Sequence, residues 1–389
     1  MRKTSLRDRR SMDIWLFAAF FLLILLGIIM IYSASAYYAE GYFGDNFFFI
    51  KKHLLWLFIG LIAMALAYNF PYRRMSGKTG LLLILALGIM VYLAFIKKGR
   101  WFIMGPIHFQ GVDVAKFALI FFLADSLSRK EGDLQDYNKG FFPHFFYLFI
   151  FGLLAVLQPD FSSTIMLMLI GFTMLFVSPV KIKHLFATVL GLIPFLALAI
   201  WLNPYMQDRL TAHNDMEQNI MDKAYQVNQS LISLGSGGIV GVGYAESKQK
   251  MFFLPEAHTD FIFSIIGEEW GLIGTTFVVL LFLIILFRCF KIASNSFDRF
   301  SFYLTVGVTA HFVFYAMTHM MVTLHLVPPT GLPLPFISYG GTFMLFSCIY
   351  AGLLLNLSNQ AFSESSIRQQ RFTRRATENL QLRKLKYLR

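Results

Sequence analysis

Long apolar runs alternate with short polar segments along the whole chain. Residues 14–32 carry no charge, and comparable runs follow at 53–68, 80–96, 111–127, 144–157, 162–178, 184–202, 261–287, 302–326 and 336–357. A helix crossing a bilayer needs about 20 mostly apolar residues, so the pattern predicts about ten transmembrane helices. Backbone groups in lipid must be satisfied internally, which gathers these segments into one helical bundle. The expected fold is an all-α polytopic membrane protein. Residues 1–13 form a tail, 14–357 a single transmembrane bundle, and 358–389 a basic tail. Trp15 and Tyr32 mark the ends of the first run as interfacial anchors. No small-residue cleavage site is obvious, so the run reads as a retained span.

Composition agrees with the pattern. The 389 residues are 57% hydrophobic and 14% charged, with a mean hydropathy of +0.59. Soluble domains carry about 25% charged residues, so this chain cannot cover a water-facing surface. A soluble enzyme, a disordered chain and a disulfide scaffold are excluded. The two cysteines, Cys289 and Cys348, lie at the end of one apolar run and inside another. The net charge of +12 would suggest nucleic acid in a soluble protein, but its distribution points elsewhere. With the N-terminus placed inside, 24 of the 34 Lys and Arg fall in inner segments and 9 in outer ones, with Lys116 alone in a span. Cytoplasmic loops collect such residues, so both termini are expected in the cytoplasm and no nucleic acid is needed. Residues 203–259 then form a large extracellular loop between helices 7 and 8, polar at first and Gly-rich at 235–243. The tail at 360–389 reads as a solvated segment against anionic lipid, or as a partner-binding helix.

Ionisable groups inside a membrane mark function by default. Asp260 opens the eighth span, with Ser264, Gly267, Glu268 and Gly271 recurring on one helical face. That face is expected to look into the bundle or a wet cavity; the simpler alternative is that Asp260 caps the helix. Glu256 and His258 precede it. Together with Asp260 they could suggest metal, yet no second His lies at ligand spacing. Asp113 and Lys116 share a face of the fourth span at i, i+3, as a structural ion pair or as a point charge aimed at an anionic group. Asp160, after Pro159, caps the sixth span or faces the cavity. Arg100 and Arg209 are interfacial anchors or anion clamps. The ninth span carries His311, Tyr315, Thr318, His319 and Thr323 at helical spacing, which suits interhelical hydrogen bonding. Residues 331–341 form a Pro/Gly-broken approach to the last span that includes Ser338. Broken helices at membrane depth line cavities. No GxxxxGK[ST], HExxH or GxSxG motif occurs. These residues describe an outward-facing polar cavity with acids and cations, suited to a lipid-borne phosphate-bearing substrate or to a transporter.

Several motifs in order resemble the SEDS family (shape, elongation, division and sporulation), bacterial cell-wall polymerases of the FtsW/RodA/SpoVE type. They are Tyr32-Ser33-Ala34-Ser35, Gly99-Arg100-Trp101, Gln110 to Lys116, Gln158-Pro159-Asp160, Tyr225-Gln226, Gln229-Ser230 through Gly241, Leu254 to Phe263, Gly267-Glu268-Glu269, and Pro335 to Gly341. The chain departs from the family at Asp113, where a Glu is usual, and at Phe161-Ser162. Ser247-Lys248-Gln249-Lys250 resembles the division and sporulation branch more than the elongation branch.

The resemblance implies a peptidoglycan glycosyltransferase of the bacterial cytoplasmic membrane that joins lipid II into glycan strands. An inverting displacement would release undecaprenyl pyrophosphate. Asp260 matches the family's essential Asp and would act as the base or orient the acceptor hydroxyl. Either partial desolvation strengthens it as a base or the proton leaves late. Lys116, with Arg100 and Arg209, would offset pyrophosphate charge, and Asp113 would orient Lys116. Asp160, Glu256, His258 and Ser338 complete the expected substrate-binding set. No cofactor is certain, although a divalent cation (Mg or Mn) could bridge Asp260 and pyrophosphate. The implied partners are a class B penicillin-binding transpeptidase and divisome or elongasome proteins. A lipid II flippase and a non-catalytic scaffold are the alternatives.

Overall fold

The computed structural model describes residues 12–104, 107–201, 207 and 223–361. Its helices are α1 (Ile14–Phe43), α2 (Phe48–Asn69), α3 (Thr79–Val91), α4 (Gly111–Arg129), α5 (Phe142–Val156), α6 (Phe161–Val177), α7 (Ile182–Trp201), α8 (Lys223–Ser236), α9 (Ile262–Ser294), α10 (Arg299–Thr323) and α11 (Gly341–Ala361). Among the described residues, seven helices are long and apolar enough to cross a membrane: α1, α2, α9, α10, α11 and the extended segments Thr79–Lys97 and Tyr137–Val156. The other three expected runs are helical too. However, α6 and the apolar part of α7 are shorter, and α4 carries four charges.

Those charges explain where α4 sits. Asp113, Lys116 and Asp125 would each be costly against lipid, and α4 accordingly lies inside, packed on α3, α6 and α10, with only Arg129 at its end exposed. Asp125 is fully buried and accepts hydrogen bonds from the Ser76 and Thr79 hydroxyls (both 2.8 Å) and from Gly77 N (3.0 Å), which ties the α2–α3 connection to α4. Many large apolar side chains of α2, α3 and α7, among them Leu55, Phe58, Leu81, Ile84, Phe186 and Leu190, instead face outward, as suits lipid contact. At the same end of the bundle as Asp125, Asp13 caps α1 and receives the Arg288 guanidinium at 2.5–3.1 Å, joining α1 to the end of α9.

Three features differ from the expectation. Helix α1 continues through Phe43, about 45 Å in all at 1.5 Å per residue, so its last turns rise beyond a hydrocarbon core of about 30 Å. The connection before α4 contains a small antiparallel hairpin, β1 (Trp101–Met104) with β2 (Ile107–Gln110), the one sheet among the described residues. Two short β-prone runs flank Gly105-Pro106 there. Finally, α9 begins at Ile262 and is broken at Gly271, whose φ of +64° and ψ of −158° are non-helical.

The break decides what the stripe on α9 does. It frees backbone groups that pair with the Gly-rich segment after α8. Glu268 O and Glu269 O accept from Val242 N (2.9 Å) and Gly243 N (3.1 Å), while Leu272 N and Ile273 N donate to Gly238 O (2.9 Å) and Ile239 O (3.2 Å). Side chains add to this. Glu268 accepts from the Ser233 and Ser247 hydroxyls and from Lys248 N at 2.6–2.9 Å. Lys250 Nζ meets Glu269 Oε1 at 2.7 Å and Ser33 Oγ at 2.9 Å. Ser264 Oγ lies 2.6 Å from Ser230 Oγ. The stripe therefore does not line an open cavity. It anchors α8 and residues 237–250 onto α9 and α1.

Candidate functional site

The N-terminal ends of α4, α6 and α9 and the C-terminal end of α10 lie at one end of the bundle. Between them opens a cleft lined by Arg100, Gln110, Pro159 to Ser163, Tyr315, Thr330 to Pro333 and Phe343.

Asp260 stands at its edge on a turn that the sequence builds locally. Glu256, with φ +53°, offers its carbonyl to the backbone N–H groups of Thr259, Asp260 and Phe261 at 3.0–3.3 Å. The Thr259 hydroxyl also donates to Glu256 Oε2 at 2.7 Å. The helix cap is Phe261, with no side-chain cap bond, so Asp260 precedes α9 rather than opening it. Residues 330–341 fix the turn from the other side. Ser338 Oγ accepts from Leu334 N (2.8 Å) and donates to Thr259 O (2.7 Å), and Tyr339 N donates to His258 O (3.0 Å). Half-buried Asp260 directs its carboxylate at Gly331, a lining residue of the cleft. Its Oδ2 is 3.3 Å from where a Cβ on Gly331 would stand. Gly331 also has φ +68°, so a side chain there would be strained as well as crowded.

Opposite, Asp160 caps α6 by accepting from Ser163 N at 3.3 Å and holds the Gln110 amide through Oδ2 at 2.5 Å. It is thus both cap and cleft wall. Lys116 and Asp113 lie behind this wall at 2% and 3% side-chain exposure, paired at 2.7 Å. Lys116 also donates to the Tyr315 hydroxyl and packs 4.5 Å from the centre of that ring. Since Tyr315 lines the cleft, the buried ammonium reaches the cleft through it. Arg100 stands exposed at the rim.

The remaining expected residues fall differently. Glu256 is exposed and shapes the turn through its carbonyl and its carboxylate. His258 is buried in an aromatic nest of Phe49 (4.4 Å between ring centres), Tyr339 (5.8 Å) and Tyr38 (6.0 Å), and burial holds its pKa below the usual histidine value against the opposing pull of Glu256. Ser338 is engaged within the protein. Arg209 lies outside the described residues. Among the described residues, no group of three or more His, Cys, Asp or Glu is placed to hold a metal ion. Sequence reasoning missed the cleft roles of Gln110 and Gly331. Gln110 stood inside a motif already noticed, but its partner Asp160 is fifty positions away.

This architecture defines a multi-pass helical membrane protein with a polar, mixed-charge cleft at one end of its bundle. Residues 13–362 match the model of the family described as cell cycle protein, of FtsW, RodA and SpoVE type, and the chain belongs to that family. It is 34% identical over 347 residues to a probable peptidoglycan glycosyltransferase FtsW of Geobacter sp. (strain M18), covering 87% of this chain and 94% of that one. It is likewise 34% identical over 358 residues to stage V sporulation protein E of Bacillus subtilis (strain 168), covering 90% and 98%. Among solved structures, a chain of a peptidoglycan synthase complex superposes with a TM-score of 0.73 at 22% identity, covering 90% of this chain and 99% of that one. The Thermus thermophilus rod shape determining protein RodA superposes with a TM-score of 0.66 at 21% identity, covering 90% and 97%.

Proposed function

We propose that this protein is a peptidoglycan glycosyltransferase of the bacterial cytoplasmic membrane, polymerising lipid II at the outer face in division or shape maintenance. The observation that carries the reading is one half-buried carboxylate, Asp260, held against the Gly331 wall of a cleft whose other walls present Lys116 through Tyr315 and Arg100. An inverting transfer needs a group at the acceptor hydroxyl and positive charge where the leaving group departs. Asp260 orients the incoming GlcNAc 4-hydroxyl and takes its proton as the new bond forms at the donor MurNAc carbon. The bond from that carbon to undecaprenyl pyrophosphate breaks in the same displacement. Lys116 and Arg100 offset the charge that collects on the departing pyrophosphate, and Asp113 orients Lys116. A single carboxylate is a poor cage for a divalent cation, so a Mg or Mn ion bridging Asp260 and pyrophosphate would draw on the phosphates for its other ligands. Chelator titration of the reaction reads whether it is needed.

The family resemblance and the fold shared with a chain of a peptidoglycan synthase complex also support a class B penicillin-binding transpeptidase as partner. The test is polymerisation of purified lipid II by the purified protein, with and without that partner. Wild type forms polymer, and Asp260→Asn forms none while eluting and melting as the wild type does. Full activity in Asp260→Asn removes the mechanism. Lipid II crossing vesicles without any polymer would favour a flippase instead.

A further inference from the structure

The chain that follows α8 lies lower in the bundle than a loop outside the membrane would. Two helices measure its height from one common level, because Asp13 at the start of α1 is ion-paired with Arg288 near the end of α9 at 2.5 Å. On α1, the Tyr244 hydroxyl donates to Ile29 O at 3.3 Å, 15 residues above Ile14 and so about 22 Å up at 1.5 Å per residue. On α9, Ile239 O accepts from Ile273 N at 3.2 Å, again 15 residues above Arg288 and about 22 Å up. The second count runs only through the regular helix after Gly271. The two heights agree.

Asp13 stands just before the first apolar run, and exposed Trp15 anchors that end at the interface. The charged pair therefore marks one edge of the hydrocarbon core. With a core about 30 Å thick, these contacts lie about 8 Å below the opposite edge, and helix tilt would only place them deeper. The return toward water is short: Ser247 Oγ and Lys248 N reach the Glu268 carboxylate above the break, and Glu246 and Lys248 are exposed.

Sequence and backbone both suit that depth. Residues 224–245 carry no charge. Irregular backbone at membrane depth is tolerated only where the protein satisfies it. Here Gly238 O, Ile239 O, Val242 N and Gly243 N all bond to α9 around its break, and Gly241 N donates to Gly237 O at 2.8 Å. A Cβ on Gly237 or Gly241 would strike Gly267 O or Glu269 O, so this close approach needs glycine. What remains turned outward is apolar. Ile239 and Val240 are 69% and 73% exposed, on the stretch paired with exposed Leu272 and Ile273 of α9.

We infer that residues 236–244 are a re-entrant segment, which enters the leaflet nearer Asp260 from α8 and turns back within it, and that Ile239, Val240 and Val242 are a contact surface for lipid acyl chains. The expected external loop between helices 7 and 8 is thus in part a membrane element. Its depth holds whether or not the protein polymerises lipid II.

The depth is read by nitroxide labels on the full chain in phosphatidylcholine–phosphatidylglycerol vesicles, with Cys289 and Cys348 buried. Molecular oxygen concentrates in hydrocarbon, whereas a nickel chelate stays in water. Labels on Val240→Cys and Leu272→Cys are expected to show similar oxygen-to-nickel collision ratios, each several-fold above that on Glu246→Cys. A ratio at position 240 as low as at position 246 overturns the inference. So does a label at 240 shielded from both reagents, which would mean that protein, such as a second copy of the chain, covers the patch. Ile239→Cys gives the same reading should Val240→Cys fail to insert. No catalysis enters these measurements, so they stand or fall apart from the polymerisation test on Asp260.

Discussion

At the scale of single residues, burial sets the consequences of change. Asp113 and Lys116 are almost fully enclosed and paired at 2.7 Å. Removing one member leaves an uncompensated charge, which costs about 3–5 kcal/mol in buried pairs. Lys116→Met and Asp113→Asn are therefore each expected to lower the thermal unfolding midpoint in detergent strongly. The double variant should recover part of the loss, because no lone charge remains. Independent, additive losses would mean that the two side chains do not depend on each other. His258 gives a pH signature. Its folded-state pKa is held below the ordinary value, so the unfolded chain binds more protons than the folded one as pH falls below about 6.5. The contribution of neutral His258 is present above that pH and lost below it. The unfolding midpoint should drop between about pH 7 and about pH 5.5, and His258→Gln should flatten that drop.

At the scale of elements, the break in α9 and the outer segment stabilise each other. Gly271 has φ +64°, and a Cβ there would sit 2.5 Å from Gly241 N and Ile239 O. Gly271→Ala cannot keep both the bend and the close approach of residues 238–243. Lys250→Met leaves Glu269 charged and buried without its cation. Both variants should release residues 237–250 from α9, and trypsin should then cut after exposed Lys248 several-fold faster than in wild type. Unchanged digestion in both would mean that the segment is held by other contacts. Because this segment leads directly into the Asp260 turn, both variants should also lose polymerase activity.

At the scale of the whole molecule, the Lys and Arg distribution makes a topological prediction. Residues 132–139 belong to an inner connection and residues 243–250 to an outer one. Cys289 and Cys348 are buried, so an introduced surface thiol can be read against a low background. Exposed Glu246→Cys should react with a membrane-impermeant thiol reagent added to intact cells, and exposed Asn138→Cys only after permeabilisation. The reverse pattern would turn the cleft toward the cytoplasm and remove the proposed reaction with it.

Much of this protein is legible in its order of residues. Apolar runs locate the helices, because lipid leaves a backbone no other partner. Of the motif residues, Asp160 and Arg100 line the cleft, and Asp260 and Lys116 lie beside its lining residues Gly331 and Tyr315. Helical periodicity also showed that Ser264, Gly267, Glu268 and Gly271 share a face. What that face meets depends on residues some 30 positions away: the face turned out to anchor an outer segment rather than line a cavity. Asp260 and Gly331 are likewise brought together only by the packing of residues 330–341 against the turn at Glu256, and Tyr315 links Lys116 to the cleft across two helices. Local chemistry determines which elements form and which charges must hide from lipid. Contacts between distant segments follow from how whole helices pack, and only the tertiary structure decided them.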